Sequence, residues 1–238
     1  MIAAIAALTT RECFRRSFPY VAAAAVVLLA LCSHLFQAFS FGSGETEAAN
    51  LAISAVFLVG LVHATFLATT SVRADLERGT LGLMLSQPVA RGSYLAGRFL
   101  GLSLSAALLS LAVALAMVGV FALPFSRVGA DLVAGEIMAG YMRALPPILM
   151  LEAAALAASA LLSRVMAPLA ILALFLAGSV GGGPILSLVV PDFGLFVLEA
   201  GARVRPFAAV GYGLAHALIY LGLAYLALTV RAPLKSQT

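Results

Sequence analysis

Residues 71–101, SVRADLERGTLGLMLSQPVARGSYLAGRFLG, form the most polar stretch of an otherwise apolar chain. They contain Arg73, Asp75, Glu77, Arg78, Arg91 and Arg98, together with Pro88 and five glycines. Long apolar runs lie on both sides, each near the ~20 residues needed to cross a bilayer as a helix. The stretch therefore reads as a loop joining two transmembrane helices.

Composition extends this reading to the whole chain. Hydrophobic residues make up 63% of the 238 and charged residues only 10%, against about 25% charged in soluble domains. A water-facing surface cannot be built from that inventory. The expectation is an all-α polytopic membrane protein forming a single transmembrane domain over residues 1–238. Its six transmembrane helices fall at about 19–39, 49–72, 93–123, 134–163, 166–183 and 206–230. No basic region followed by an apolar core and a cleavage site opens the chain, so the first span is expected to be retained.

Basic residues set the orientation. With six spans, Arg11, Arg15, Arg16, Arg73, Arg78, Arg91, Arg98, Arg164, Arg231 and Lys235 lie on one side, and only Arg127, Arg203 and Arg205 on the other. The expectation is a multi-pass protein of the cytoplasmic (inner) membrane with both termini cytoplasmic. Residues 73–91 are then a cytoplasmic loop, and SFGSGETEA is an outer turn.

Two spans are irregular. Residues 134–163 would measure about 45 Å as one helix, longer than the hydrocarbon layer, and Pro146-Pro147 is expected to kink or split it. After Gly181-Gly182-Gly183-Pro184, the piece ILSLVVPDFGLFVLEAGARV is apolar but too broken to cross and return. It reads as an outward re-entrant segment, since irregular backbone at depth needs protein cover.

Taken as a helix, residues 73–86 place Asp75, Arg78, Gly82 and Ser86 on one narrow face, with Leu76, Leu81, Leu83 and Met84 over the rest. Such a helix can lie on the membrane interface, apolar side down, offering a stripe of small and polar residues to another protein. The alternative is a solvated loop whose arginines only fix topology. The leucines of LGLML favour cover over plain solvation.

The residues here resemble a family. Glu77-Arg78-Gly79-Thr80-Leu81, Leu85-Ser86-Gln87-Pro88-Val89-Ala90-Arg91, Tyr94 and Gly97-Arg98-Phe99-Leu100-Gly101 resemble the first cytoplasmic loop of type-2 ABC exporter permeases, with Arg98 where the family usually has Lys. The resemblance implies a coupling helix that docks on a cytoplasmic ATPase through Asp75, Glu77, Arg78, Gly79, Thr80, Gly82, Leu83, Pro88 and Arg91. Thr10-Arg11-Glu12-Cys13-Phe14-Arg15-Arg16 is similar to the family's N-terminal interfacial helix. Pro191-Asp192-Phe193 resembles the multicopper-enzyme-maturation branch, from whose usual ending RAPLKSQT departs. By resemblance, a homodimer of permeases works with two ATPase subunits, and spans two and five line the path.

No Gly-x-x-x-x-Gly-Lys-Ser/Thr phosphate loop occurs. The chain is expected to be no enzyme and to hold no cofactor; ATP and Mg would sit on the partner ATPase. Expected partners are that ATPase, a second copy of the permease and membrane lipids, with no nucleic acid. Ionisable residues inside spans are costly and point to function. Glu152 reads either as a carboxyl locking helices together or as a substrate or gating contact, and Arg143 joins it as a candidate of the path. Glu136 and Arg143 share a face and can also snorkel outward. His34, His63 and His216 show no carboxylate at ligand spacing and read as helix-to-helix hydrogen bonders rather than metal ligands. Gly97 and Gly101 make a GxxxG whose partner the sequence does not name. Two alternatives stay open: the haem-exporter B subunit of cytochrome c maturation, and an intramembrane enzyme using Glu152 and a histidine.

Overall fold

A computed structural model describes residues 1–15, 20, 23–24, 27, 44–78, 90–121, 130–180, 190–196 and 206–231. Among these residues there is no strand. The helices are α1 (Ile2–Arg15), α2 (Gly44–His63), a π turn (Ala64–Ala68), α3 (Thr69–Glu77), α4 (Arg91–Phe121), α5 (Ala130–Leu161), α6 (Met166–Val180), a 3-10 turn (Phe193–Phe196) and α7 (Pro206–Arg231). Four of the described segments are long and apolar enough to cross a membrane: Thr46–Glu77, Arg91–Phe121, Val133–Leu161 and Phe207–Val230. The chain is an all-α polytopic membrane protein. The expected first span, at 19–39, lies largely outside the described residues.

The second span departs from the expectation. It starts at Gly44, inside the stretch read as a turn, and runs through α2, the π turn and α3 to Glu77 without a gap. Glu47 falls in its first turn, where a negative charge favours the helix dipole. Residues 73–77 of the expected helix over 73–86 form the last part of this rod; residues 79–89 lie outside the described residues.

The Pro146-Pro147 pair does not split the fourth span, because α5 is one helix through both prolines. Each proline removes an N–H from the ladder, and neighbouring helices make this tolerable in a membrane span. Here Gly213 of α7 packs on Pro146, so closely that a Cβ there would stand 3.1 Å from the ring.

α5 is the core of the bundle. Residues 150–160 are all buried, and the run Ala153-Ala154-Ala155-Leu156-Ala157-Ala158 lets neighbouring backbones approach closely. Along α2 and α3, Gly60 meets Ile148, His63 meets Glu152 and the Arg73 amide donates to Ser159 Oγ at 3.0 Å. The order shows that the α2–α3 rod and α5 run parallel. Against α4 the order reverses, with Val56 on Ser110, His63 on Ser105 and Asp75 on Arg98. These directions are those of spans that alternate across a membrane.

α6 has 15 residues, about 22 Å, which is shorter than the hydrocarbon layer. The segment Pro191–Phe196 covers its end. Pro191 reaches Gly178, Phe193 stacks edge-on to Phe175 with centroids 5.3 Å apart, and the Asp192 amide donates to Tyr212 Oη at 2.9 Å. This part of the expected re-entrant segment is a 3-10 turn held between α6 and α7; residues 181–189 and 197–205 lie outside the described residues.

Candidate functional site

Residues 78–90 join the end of α3 at Glu77 to the start of α4 at Arg91. At the root of this segment, α3 and α4 are joined by charge. Asp75 Oδ2 accepts from Arg98 Nη2 and, at 2.6 Å, from the Tyr94 hydroxyl. Arg98 also donates through Nη1 to Glu12 Oε2 at 2.9 Å and to Thr9 Oγ1 at 3.3 Å. Three separate elements, α1, α3 and α4, therefore meet on one guanidinium. Its planar fork makes this possible, because Arg presents several donors in fixed directions. Arg98 is 5% exposed and Asp75 8%, so the pair is removed from water and needs these partners.

α1 reaches this cluster by packing along the first turns of α4. A Cβ at Gly97 would stand 2.7 Å from Ile5, and one at Gly101 would stand 2.6 Å from the Ala6 carbonyl oxygen and from Thr9. The Thr10 hydroxyl donates to the Gly101 carbonyl at 3.0 Å. The partner of the GxxxG motif is thus the N-terminal helix, seated on the beginning of the third span. Backbones this close need glycine at both positions.

Asp75 does not belong to an outward-facing stripe with Arg78, as the helical reading of 73–86 had it. Its side chain turns inward to α4, whereas Glu77 and Arg78 are exposed. Glu77 accepts from Arg73 Nε at 2.8 Å across one turn. Arg91 opens α4 and is half-buried; Gly79, Thr80, Gly82, Leu83 and Pro88 lie outside the described residues. Arg98, expected as a basic residue at the loop and at the place of the resembling family's usual Lys, is the centre of the cluster.

A second polar cluster lies deeper. His63 Nδ1 is 2.6 Å from Glu152 Oε1 and its Nε2 is 2.9 Å from Ser105 Oγ. The three residues come from α2, α5 and α4 and are at most 2% exposed. His63 thus has the carboxylate partner that sequence spacing concealed. Ser105 Oγ donates to the Leu102 carbonyl at 2.9 Å, so the hydroxyl is left to accept from His63 Nε2–H. Whether the remaining proton sits on Glu152 or on Nδ1, the pair carries no net charge, which suits a site with no water. A serine whose proton is directed to a carbonyl, and which is itself enclosed, is not poised to attack a substrate. Through His63, Glu152 ties α5 to α2 and α4.

Arg143 and Glu152 are not brought together. Nine residues apart on α5, they face opposite sides of the helix, about 180° apart at 100° per residue. Arg143 lines a cavity of about 390 Å³ between α5 and α7, with Pro146, Leu149, Phe196, Val210 and Gly213. Its Nη2 lies 3.7 Å from Glu136 Oε2, the helical neighbour expected on the same face. His216 is part of an aromatic ladder, 4.3 Å from Tyr212 and 6.4 Å from Tyr220 between ring centroids. No group of three or more metal-ligating side chains occurs among the described residues.

No curated protein matches the chain. The sequence pattern of the family described as ABC-2 family transporter protein matches residues 18–201. That match takes in the first five expected spans and both the Asp75–Arg98 and His63–Glu152 pairs. With four long apolar helices, a charged root under its main polar loop and a match over most of its length, the chain belongs to the ABC-2 family of transporter proteins, as a membrane permease of an ABC transporter.

Proposed function

We propose that this chain is the permease subunit of an ATP-driven exporter of the cytoplasmic membrane. It works as a homodimer, and a separate ATPase subunit docks on the loop at 78–90. The observation that carries the reading is the root of that loop. Asp75, Tyr94, Arg98 and Glu12 bind α3, α4 and α1 into one unit, so a force applied to the loop reaches three elements together. A loop that served only to place arginines on one side of the membrane would need no such internal charge cluster. The exposed Glu77 and Arg78 stand where the partner would meet the chain. The chain has no phosphate loop, so ATP and Mg belong to the partner.

The test is co-purification. Tagged permease should retain a phosphate-loop ATPase from the same cell, and the chain alone should neither bind nor hydrolyse ATP. Hydrolysis by the lone, contaminant-free chain would overturn the assignment. Orientation is tested separately: a cysteine at Gly44 should react with an impermeant maleimide from outside, and tags at both termini should stay protected. Labelling of position 44 only after permeabilisation would reverse the topology.

A further inference from the structure

The rod formed by α2, the π turn and α3 touches α4 at two polar points, His63 on Ser105 and Asp75 on Arg98 and Tyr94. His63 and Asp75 are twelve residues apart. In an uninterrupted α-helix they would be about 120° apart around the axis, at 100° per residue. The π turn at Ala64–Ala68 absorbs one residue, and eleven effective steps leave them about 20° apart. Their partners on α4 share a face as well, since Ser105 and Arg98 are seven residues apart, again about 20°. The rise agrees: eleven α-helical steps are about 16.5 Å, the separation of Ser105 and Tyr94 along α4. The π turn is what allows both contacts to exist at once.

We propose that this turn is a register switch: its spare residue lets α3 and the loop rotate by about 100° against α2, with Asp75 leaving Arg98 and His63 staying on Glu152 and Ser105. At the turn the Thr69 amide donates to the Ala64 carbonyl, five residues back, and nearby hydroxyls donate to further carbonyls of the rod. Thr65 donates to the Leu61 carbonyl at 2.7 Å, Thr69 to the Thr65 carbonyl, Thr70 to the Phe66 carbonyl at 2.9 Å and Ser71 to the Ala68 carbonyl at 2.9 Å. No glycine or proline lies in Ala64–Ala68, so the segment returns to α-helix once one of its two anchors opens.

The anchors are unequal. At the deeper one, Glu152 Oε2 has no hydrogen-bond partner among the described residues, and loss of His63 would strip the other oxygen too, in a place without water. At the loop end, Arg98 retains Glu12 and Thr9 when Asp75 departs, and Glu12 is 46% exposed. The loop end is therefore the one that opens, with release of the Arg73 amide from Ser159 as the accompanying step. This rests on the reading that an ATPase acts on the loop.

The test uses the complete permease–ATPase complex in lipid nanodiscs. Spin labels are placed at Ala74→Cys on α3 and Leu104→Cys on α4, in a chain otherwise free of cysteine. Trapping with ATP and vanadate should shift the label distance by several ångströms, as expected for a turn of this size on a helix about 10 Å across. Deleting Phe66, the most exposed residue of the turn at 57%, leaves both anchors in register on a plain α-helix but removes the spare residue. The deleted complex should assemble and show no shift. An equal shift after deletion, or none before it, overturns the proposal. If the deleted chain fails to fold, hydrogen exchange of a peptide over residues 64–72 in the intact complex decides, with at least a tenfold change in rate on trapping expected and an unchanged rate overturning it. Absence of any ATPase in the complex would overturn the docking reading itself, whereas an assembled complex without movement removes only the switch.

Discussion

Tyr94 and Arg98, one turn apart on α4, donate to the same oxygen, Oδ2 of Asp75. The acid at the end of the second span is thereby held twice by the start of the third. Removing one member of a buried charge pair costs about 3–5 kcal/mol when the other is left uncompensated; Arg98 keeps Glu12 and Thr9, so Asp75→Ala should lower thermal stability in detergent by less than that. Tyr94→Phe removes one hydrogen bond to a charged acceptor and should cost about 1.5–3 kcal/mol. The double variant Asp75→Asn with Arg98→Met should regain most of the loss, because replacing both charges is far cheaper than orphaning one. A near-native unfolding midpoint for Asp75→Ala would mean that Arg98 finds water and the cluster is no anchor.

The contact of α1 with Gly97 and Gly101 carries its own reporter. Cys13 is a buried free thiol near the end of α1. Gly101→Leu forces α1 away from α4, since any Cβ there meets Ala6 and Thr9; overpacking of this kind costs about 1–3 kcal/mol. In a Cys32→Ser background, Cys13 should react with a maleimide at least ten times faster in Gly101→Leu than in the parent. Equal rates would show that α1 stays seated.

The apolar runs and their alternation were legible because each span is a local property of about twenty residues. What joins the spans was not. His63 and Glu152 are 89 positions apart, and no spacing rule links them. Arg98 looked like one more basic residue of the loop, because its burial is decided by Glu12 and Asp75 on other elements. The GxxxG announced a close contact without naming α1. The π turn left no sign at all: Ala64-Thr65-Phe66-Leu67-Ala68 has no helix breaker, and its form follows from contacts at either end. Pro146 and Pro147 are strong local signals, yet α5 stays one helix through them, with Gly213 of α7 packed on Pro146.

The His63 cluster separates a tie from a charge requirement. Glu152→Gln keeps an isosteric group whose amide can donate to His63 Nδ1, and it should fold within about 1 kcal/mol of the parent. Glu152→Leu leaves a buried ring nitrogen without its partner, a loss of about 1–3 kcal/mol. Parallel unfolding scans of the two variants decide the matter. If Gln is as damaging as Leu, the carboxylate charge itself is needed and the cluster is more than a tie between α2, α4 and α5.

The loop itself gives the last prediction. Glu77 and Arg78 are exposed, and the Arg73–Glu77 pair is a surface bridge between helical neighbours, worth about 0.3–0.5 kcal/mol. Reversing Glu77 to Arg should therefore leave the permease as stable as before. If the ATPase docks here, that variant should still release its partner, because truncating or reversing a desolvated interfacial charge costs about 2–5 kcal/mol, enough to dissociate a complex held at micromolar affinity. Gly82→Leu should do the same by filling a position where a close approach is expected. The measurement is the ratio of ATPase to permease after tag purification, with an Arg231 substitution at the far end of α7 as control. Under the topology-only reading of the loop, Gly82→Leu is silent and Glu77→Arg, which adds a basic residue on the side already richest in them, is silent too. Full retention of the ATPase by both variants would therefore place the docking site elsewhere on the chain.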